Sequence, residues 1–492
     1  MNLAKDLLVG WRIAEMRHLL VWIALSLVTA GAQEPAKKLL AGAATSNITP
    51  PIGGAIVGGF SPFPSTHIHD ELHARCLVLD NGEKRLAIVV CDLLGGARQM
   101  FDEAARLVQA QTGIPRECVL MSATHTHSAS SALSENRYSL DEPLNEYQAF
   151  VARRIADGVT RAVNNLVPVK IGWAVGQEPD QVFNRRWFMK EGTVPPNPFG
   201  GIDQVKMNPP RGPNLVKPAG PTDPEVCVIS LQTADGKPLA VLANYSLHYV
   251  GDVGNGHISA DYFAVFCDRL QQLLGADRQE VPFVAMLSNG TSGNINNNDY
   301  SKPAAKAGPP YSKIKAVADE VAEAAFEAMK GITYRDWVPL DSRFSELRLD
   351  ARRPTAEQIA RAEGIVAKPR VIGGKALLDV VYAERTLKLR AVGPHIDLPL
   401  QTLRIGEAGI CAIPCETFVE TGLELKLKSP FKPSFTHSIA GGYFGYLPTP
   451  EHHRLGGYET WLGTNRLEVE ASTKITARLL EMLQSMKGAV PH

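Results

Sequence analysis

The run Cys118-Val119-Leu120-Met121-Ser122-Ala123-Thr124-His125-Thr126-His127-Ser128 joins an apolar stretch to a pair of histidines. Its first half, Cys118–Thr124, reads as a buried strand, because a short apolar run with branched side chains suits a sheet covered on both faces. The histidines come where that strand exits into a loop. Side chains alternate along an extended chain, so His125 and His127 are expected to point the same way. Two imidazoles on one side can hold a metal, or one can ligate while the other meets substrate. The metallo-β-lactamase pattern HxHxDH is excluded, since Ser128-Ala129-Ser130 follows. Amidohydrolase barrels carry HxH near the start of the chain, which is not its place here.

Outward from this run the chain alternates strands with helices. Arg75–Asp80 and Leu86–Leu93 are further apolar strand candidates. Two hairpins stand out: Glu225–His248 turns at Ala234-Asp235-Gly236-Lys237, and Ile396–Pro414 turns at Gly406-Glu407-Ala408-Gly409. Helices are expected over Phe101–Gly113 with Gly113 as C-cap, over Tyr147–Asn164, over a segment ending at Gly331, and at the end of the chain. Ile314, Val317, Val321, Ala325 and Ala328 line one face of the third; Ile475, Leu479 and Met482 line one face of the last. Gly192–Pro224 is crowded with Pro and Gly and shows no periodicity, which suggests a lid. The fold class expected is α/β (α+β): one large domain over 33–492, with mixed β-sheets packed between helical layers.

The 492 residues carry 51 Lys+Arg against 51 Asp+Glu, with 45% apolar and 21% charged residues. That is globular composition, and the neutral balance offers nothing to nucleic-acid phosphates. Seven cysteines are sparse, odd in number and without CxxC spacing, so the fold is not expected to rest on disulfides or a zinc knuckle. Leu19–Ala32 is an apolar core behind Arg12 and Arg17, closed by Ala30-Gly31-Ala32. At 14 residues it falls short of the roughly 20 that span a bilayer. It reads as a signal peptide over 1–32, with Met16 an alternative start, a secreted or periplasmic destination, and no transmembrane helix in the mature chain.

Five ordered blocks resemble the neutral/alkaline non-lysosomal ceramidase family, over about Gly42 to Met486: Thr124–Ser128, Asn184-Arg185-Arg186, Asn244–His248, Pro414–Phe418, and Tyr446 followed twelve residues later by Tyr458-Glu459. The resemblance implies a zinc amide hydrolase with an α/β catalytic domain. It implies one Zn²⁺ held by His125, His248, Glu416 and Tyr446, and attack of zinc-bound water on the N-acyl bond of ceramide or a related N-acyl compound. His127 and Tyr458 would donate to the oxyanion or substrate, and Arg185 would position substrate or steady developing charge. Asp70 and Asp92 are subsidiary candidates: Asp92 ends an apolar strand and could orient a ligand histidine, Asp261 within Ile258–Tyr262 could do the same, and capping a turn is the alternative role for each. A second, structural Ca²⁺ or Mg²⁺ stays open.

Two stretches depart from the family. Ala129-Ser130 stands where the family has Gly-Pro, and Ser288–Asn296 replaces its Gly-Asp-x-Ser-Pro-Asn loop, with Asn294 where related bacterial sequences have Asp. The chain also ends soon after its last helix, short of the β-sandwich that follows the catalytic domain in ceramidases acting on membrane lipids. A smaller or soluble small-molecule amide is therefore expected beside sphingolipid. The alternatives are a zinc esterase or lactonase on the same scaffold, or a non-catalytic ligand-binding relative.

Overall fold

The computed structural model describes residues 37–59, 62–130, 132–133, 142–304, 306, 308–368, 371–372 and 375–487. The signal peptide expected over 1–32 lies outside the described residues. The main sheet has eight strands: β1 (Leu39–Asn47), β2 (His73–Asp80), β3 (Arg85–Cys91), β4 (Val119–Ala123), β5 (Val167–Gln177), β6 (Glu225–Thr233), β7 (Pro238–Tyr245) and β8 (Val284–Asn289). Their order is β8-β7-β6-β5-β1-β2-β3-β4. The two edge pairs, β7/β8 and β3/β4, are parallel and the interior pairs antiparallel. A parallel neighbour needs a crossover. α1 (Arg98–Thr112) supplies one between β3 and β4, and α3 (Asp261–Leu273) the other between β7 and β8.

A second sheet, β9 (Leu340–Asp350), β10 (His395–Ile405), β11 (Ala408–Ile413) and β12 (Ser434–Ser438), is antiparallel except for β11/β12. Period-two alternation decides what each face covers. Ala41, Ala43, Ile229 and Leu231 of the first sheet share a core with Leu403, Ile405, Ile410 and Ala412 of the second. The opposite sides of β6 and β7 (Val226, Val228, Val241, Ala243) meet α3 and α4 (Ser312–Met329). Leu398, Leu400, Cys411 and Ile413 meet Ile475, Leu479 and Leu483 of α9 (Ala471–Lys487). The layers run helices, sheet, sheet, helices, as the sequence led one to expect. Each large aliphatic side chain buried this way contributes about 1.5–3 kcal/mol.

α2 (Glu146–Asn164) begins with a capping box, Asn145 with Gln148, and lies over β1. The approach is close: a Cβ on Gly42 would sit 2.1 Å from the Ala162 carbonyl oxygen. Four further helices, α5 (Ala356–Val366), α6 (Leu378–Leu389), α7 (Val419–Lys428) and α8 (Pro450–Leu455), complete the described set. α3, α5, α6, α7 and α8 have no counterpart among the helices expected from periodicity. Gly192–Pro224 is not wholly irregular: Val205–Met207 and Leu215–Pro218 flank Arg186–Met189 in a small sheet. Strands of three and four residues are too short for alternation to register in a sequence window. All seven cysteines are free and buried.

Both sheets send their strand ends to one place. His125 and His127 follow β4, His248 follows β7, Glu416 follows β11 and Tyr446 follows β12. Ser122 of β4 bridges Ala440 beyond β12, which ties the sheets together beside that convergence.

Candidate metal centre

His125 is not extended. Its φ of 73° places it in the left-handed region, and its N–H donates to the Leu93 carbonyl at 2.9 Å. Simple alternation therefore does not govern this loop, yet the bend still brings the two imidazoles together. His125 and His127 meet edge to face, with their Nε2 atoms 3.1 Å apart. His248 closes the group: one ring nitrogen from each of His125, His127 and His248 lies within 4.8 Å of the others. Among the described residues this is the one group of three or more His, Cys, Asp or Glu side chains so placed. The Nδ1 atoms of His125 and His248 are held by main-chain carbonyls, Leu94 O at 2.7 Å and Ser292 O at 3.0 Å. An imidazole that donates from Nδ1 presents a lone pair at Nε2.

Glu416 enters from the other sheet. It pairs in parallel register with Tyr446, which fixes the two side by side. Its Oε2 lies 3.3 Å from His125 Nε2 and 3.7 Å from His248 Nε2. Its Oε1 accepts from the Tyr443 hydroxyl at 2.6 Å. Arg185 Nη2 donates to the Tyr446 hydroxyl at 3.0 Å and to the Gly293 carbonyl at 2.7 Å, and Arg185 Nε pairs with Glu459 at 3.2 Å. Tyr458 packs edge to face on Tyr446.

Burial dominates the electrostatics. It pushes His248 well below its ordinary value, with the Arg185 charge adding to the effect, so this imidazole is neutral. Burial opposes ionisation of Glu416, but the attraction of the facing His125, with the hydroxyls of Tyr443 and Tyr446, outweighs it and holds the carboxyl below its ordinary range. Burial raises the Tyr446 phenol well above its usual value, against the pull of Arg185. The Tyr458 phenol is pushed up to about 12.

Solved structures share this architecture. The neutral ceramidase from Pseudomonas aeruginosa superimposes with a TM-score of 0.68 at 17% identity, over 93% of this chain and 76% of that one. A ceramidase in complex with C2 gives 0.67 at 16%, over 92% and 76%. The chain has the neutral ceramidase fold. No family model matches the sequence.

In this ceramidase fold the remaining sequence candidates bond to main chain, to an arginine and to a glutamate. Asp92 does not meet a histidine ring of the group: it takes up buried Arg75 and accepts from the His73 N–H at 2.9 Å. A buried cation one strand away is a stronger claim on a carboxylate than an imidazole already held by a carbonyl. Asp261 likewise bonds main chain, accepting from Val250 N at 3.0 Å and Gly251 N at 2.9 Å just beyond His248. Asn294 accepts from Val419 N at 2.9 Å and donates to Glu420, which locks its loop onto the start of α7. Residues that sequence reasoning passed over are Tyr443, Tyr249, which stacks on His127 at 3.7 Å, and Glu459, noted only as a motif letter.

Gly293 passes under the site, where a Cβ would be 2.5 Å from the Glu416 carbonyl oxygen. Gly293→Ala is therefore expected to destabilise the protein by about 1–3 kcal/mol, as overpacking does, read as a lowered denaturation midpoint. A cavity of about 360 Å³ opens over the centre. His127, Arg185, His248, Tyr446 and Tyr458 lie on its polar side; Val194, Pro195, Met207, Leu378 and Trp461 line another part, with Asp203, Lys206 and Asn208 also at its wall. Part of the Gly192–Pro224 segment thus forms one wall of the cavity.

Proposed function

We propose that this protein is a zinc-dependent hydrolase of linear amides, cleaving the N-acyl bond of ceramide or a related N-acyl compound. The observation that carries the reading is the meeting of Glu416 Oε2 with the His125 and His248 imidazoles at 3.3 and 3.7 Å. Ligands about 2.0–2.1 Å from a tetrahedral zinc lie about 3.3–3.4 Å from each other, so the separations suit one shared ion. His248 Nε2 and Glu416 Oε2 are both buried without a hydrogen-bond partner, a costly state that a cation would relieve. Neutral imidazoles with carboxylate and phenol oxygens are a donor set suited to Zn²⁺. His125, His248, Glu416 and Tyr446 would hold it.

When bound, zinc supplies Lewis-acid activation of water at neutral pH. The side chains around it do the rest. Arg185 fixes the Tyr446 hydroxyl and brings positive charge to the place where an oxyanion would develop. His127, at the cavity side of the group, is placed to pass a proton to or from a substrate amide. Tyr458 stays protonated at neutral pH and is a hydrogen-bond donor to the substrate. The apolar wall of Val194, Pro195, Leu378 and Trp461 suits an acyl chain. Among the described residues no helix is long and apolar enough to cross a membrane. Leu19–Ala32 supports export as part of the same proposal.

Purified protein is expected to hold one zinc per chain. It is expected to hydrolyse fluorescent short-chain ceramide or N-acyl amino acids, and to lose that activity to a chelator and regain it with zinc. Less than about half an equivalent of zinc in carefully handled protein, or activity indifferent to chelation, overturns the proposal.

A further inference from the structure

The three-residue turn Ser259-Ala260-Asp261 holds both histidine loops at once. Ser259 straddles His127: its N–H donates to the Ser128 carbonyl at 2.9 Å and its carbonyl accepts from the Thr126 hydroxyl at 2.7 Å. Thr126 is wholly buried, and its oxygen also accepts from Ser128 N at 3.3 Å, closing the loop on itself. Two residues on, Asp261 takes the Val250 and Gly251 N–H groups and so fixes the chain just beyond His248 and Tyr249. Tyr249 in turn lies flat on the His127 ring. The turn itself is fastened by Asp70, which accepts from the Ser259 hydroxyl at 2.5 Å and from Ala260 N at 2.6 Å. Asp70 is brought there by the parallel pairing of His67–Ile68 with His257–Ile258.

We infer that Thr126, Ser259 and Asp70 are positioning residues that set the His127 ring against the metal centre, acting through main chain rather than by touching substrate. This rests on the hydrolase reading above. Thr126 and Ser259 fix the chain on either side of His127, and Asp70 acts one step removed by fastening Ser259 and Ala260. Loss of such a support typically costs about 10–100-fold in activity or metal affinity. The effect here should fall on turnover, because His127 is not among the proposed ligands and its proton transfer matters at the transition state.

The test compares Thr126→Val, which keeps the shape and removes the hydroxyl, with Thr126→Ser, which keeps the hydroxyl. Thr126→Val is expected to lower kcat about 10–100-fold, leaving KM, zinc content and Tm close to wild type, and Thr126→Ser is expected to restore most of kcat. Imidazole NMR of zinc-free protein reads His127 without reference to activity: its signals should shift in Thr126→Val and return in Thr126→Ser. Unchanged His127 signals and unchanged kcat in Thr126→Val overturn the inference, as does a kcat loss that merely follows a loss of zinc or of folded protein. Wild type that neither binds zinc nor cleaves amides defeats the hydrolase reading instead, and the NMR comparison still decides the positioning role.

Discussion

Glu416→Gln is expected to strip the centre of zinc and to lower amide hydrolysis about 10³-fold or more, since a metal's stabilisation of developing charge is worth several kcal/mol and each 1.36 kcal/mol is a decade. The substitution is nearly isosteric. Tyr443, whose hydroxyl donates to Oε1, would still find an amide oxygen there. What disappears is the negative charge facing two imidazoles from 3.3 and 3.7 Å. An imidazole ligates through the lone pair of an uncharged nitrogen, so Glu416 is the ligand that balances the ion's charge most directly. Because the packing survives, the thermal midpoint of the zinc-free variant should match that of zinc-free wild type. Glu416→Gln protein that retains a full equivalent of zinc and wild-type turnover contradicts the assignment.

Glu459→Ala is expected to produce the largest loss of stability. Glu459 has no exposed surface, and its two oxygens divide between Arg185 at 3.2 Å and Arg186 at 2.6 Å, themselves buried. Removing one partner of a buried ion pair leaves an uncompensated charge and costs about 3–5 kcal/mol; here two guanidinium groups are affected. Arg186 keeps only its bond to the Gly456 carbonyl and its place over Phe418. Arg185 keeps Tyr446 and the Gly293 carbonyl but loses the anchor that sets its angle. Chemical denaturation should show the fall directly, with a smaller one for Glu459→Gln, which keeps one acceptor oxygen. A Glu459→Ala midpoint indistinguishable from wild type would show that the pair carries no net stability.

The layering was legible because it depends on patterns local to each element. Apolar runs marked β2, β3 and β4, turn residues marked both hairpins, and 3.6-residue spacing marked α1, α2, α4 and α9. Less visible were elements whose character comes from their neighbours. α3 is an exception: Phe263, Phe266, Cys267 and Leu270 recur at helical spacing and are buried, so the same periodicity could have marked it. The histidine pair illustrates a different limit. Alternation predicted a common direction for His125 and His127, whereas the structure brings them together through a left-handed residue and a loop clamped by Ser259. Asp92 looked like a histidine partner because it ends a strand; its partner Arg75 stands across β2, where only the sheet's register brings them together. The Arg185–Glu459–Arg186 group joins residues more than 270 positions apart and leaves no local signature.

The most direct measurement is a crystal structure of zinc-loaded protein with anomalous scattering recorded at the zinc edge. One strong peak is expected within about 2.0–2.3 Å of His125 Nε2, His248 Nε2 and a Glu416 oxygen, with the Tyr446 hydroxyl turned toward it. A peak at some other place, or none where these side chains meet, would contradict the proposed centre.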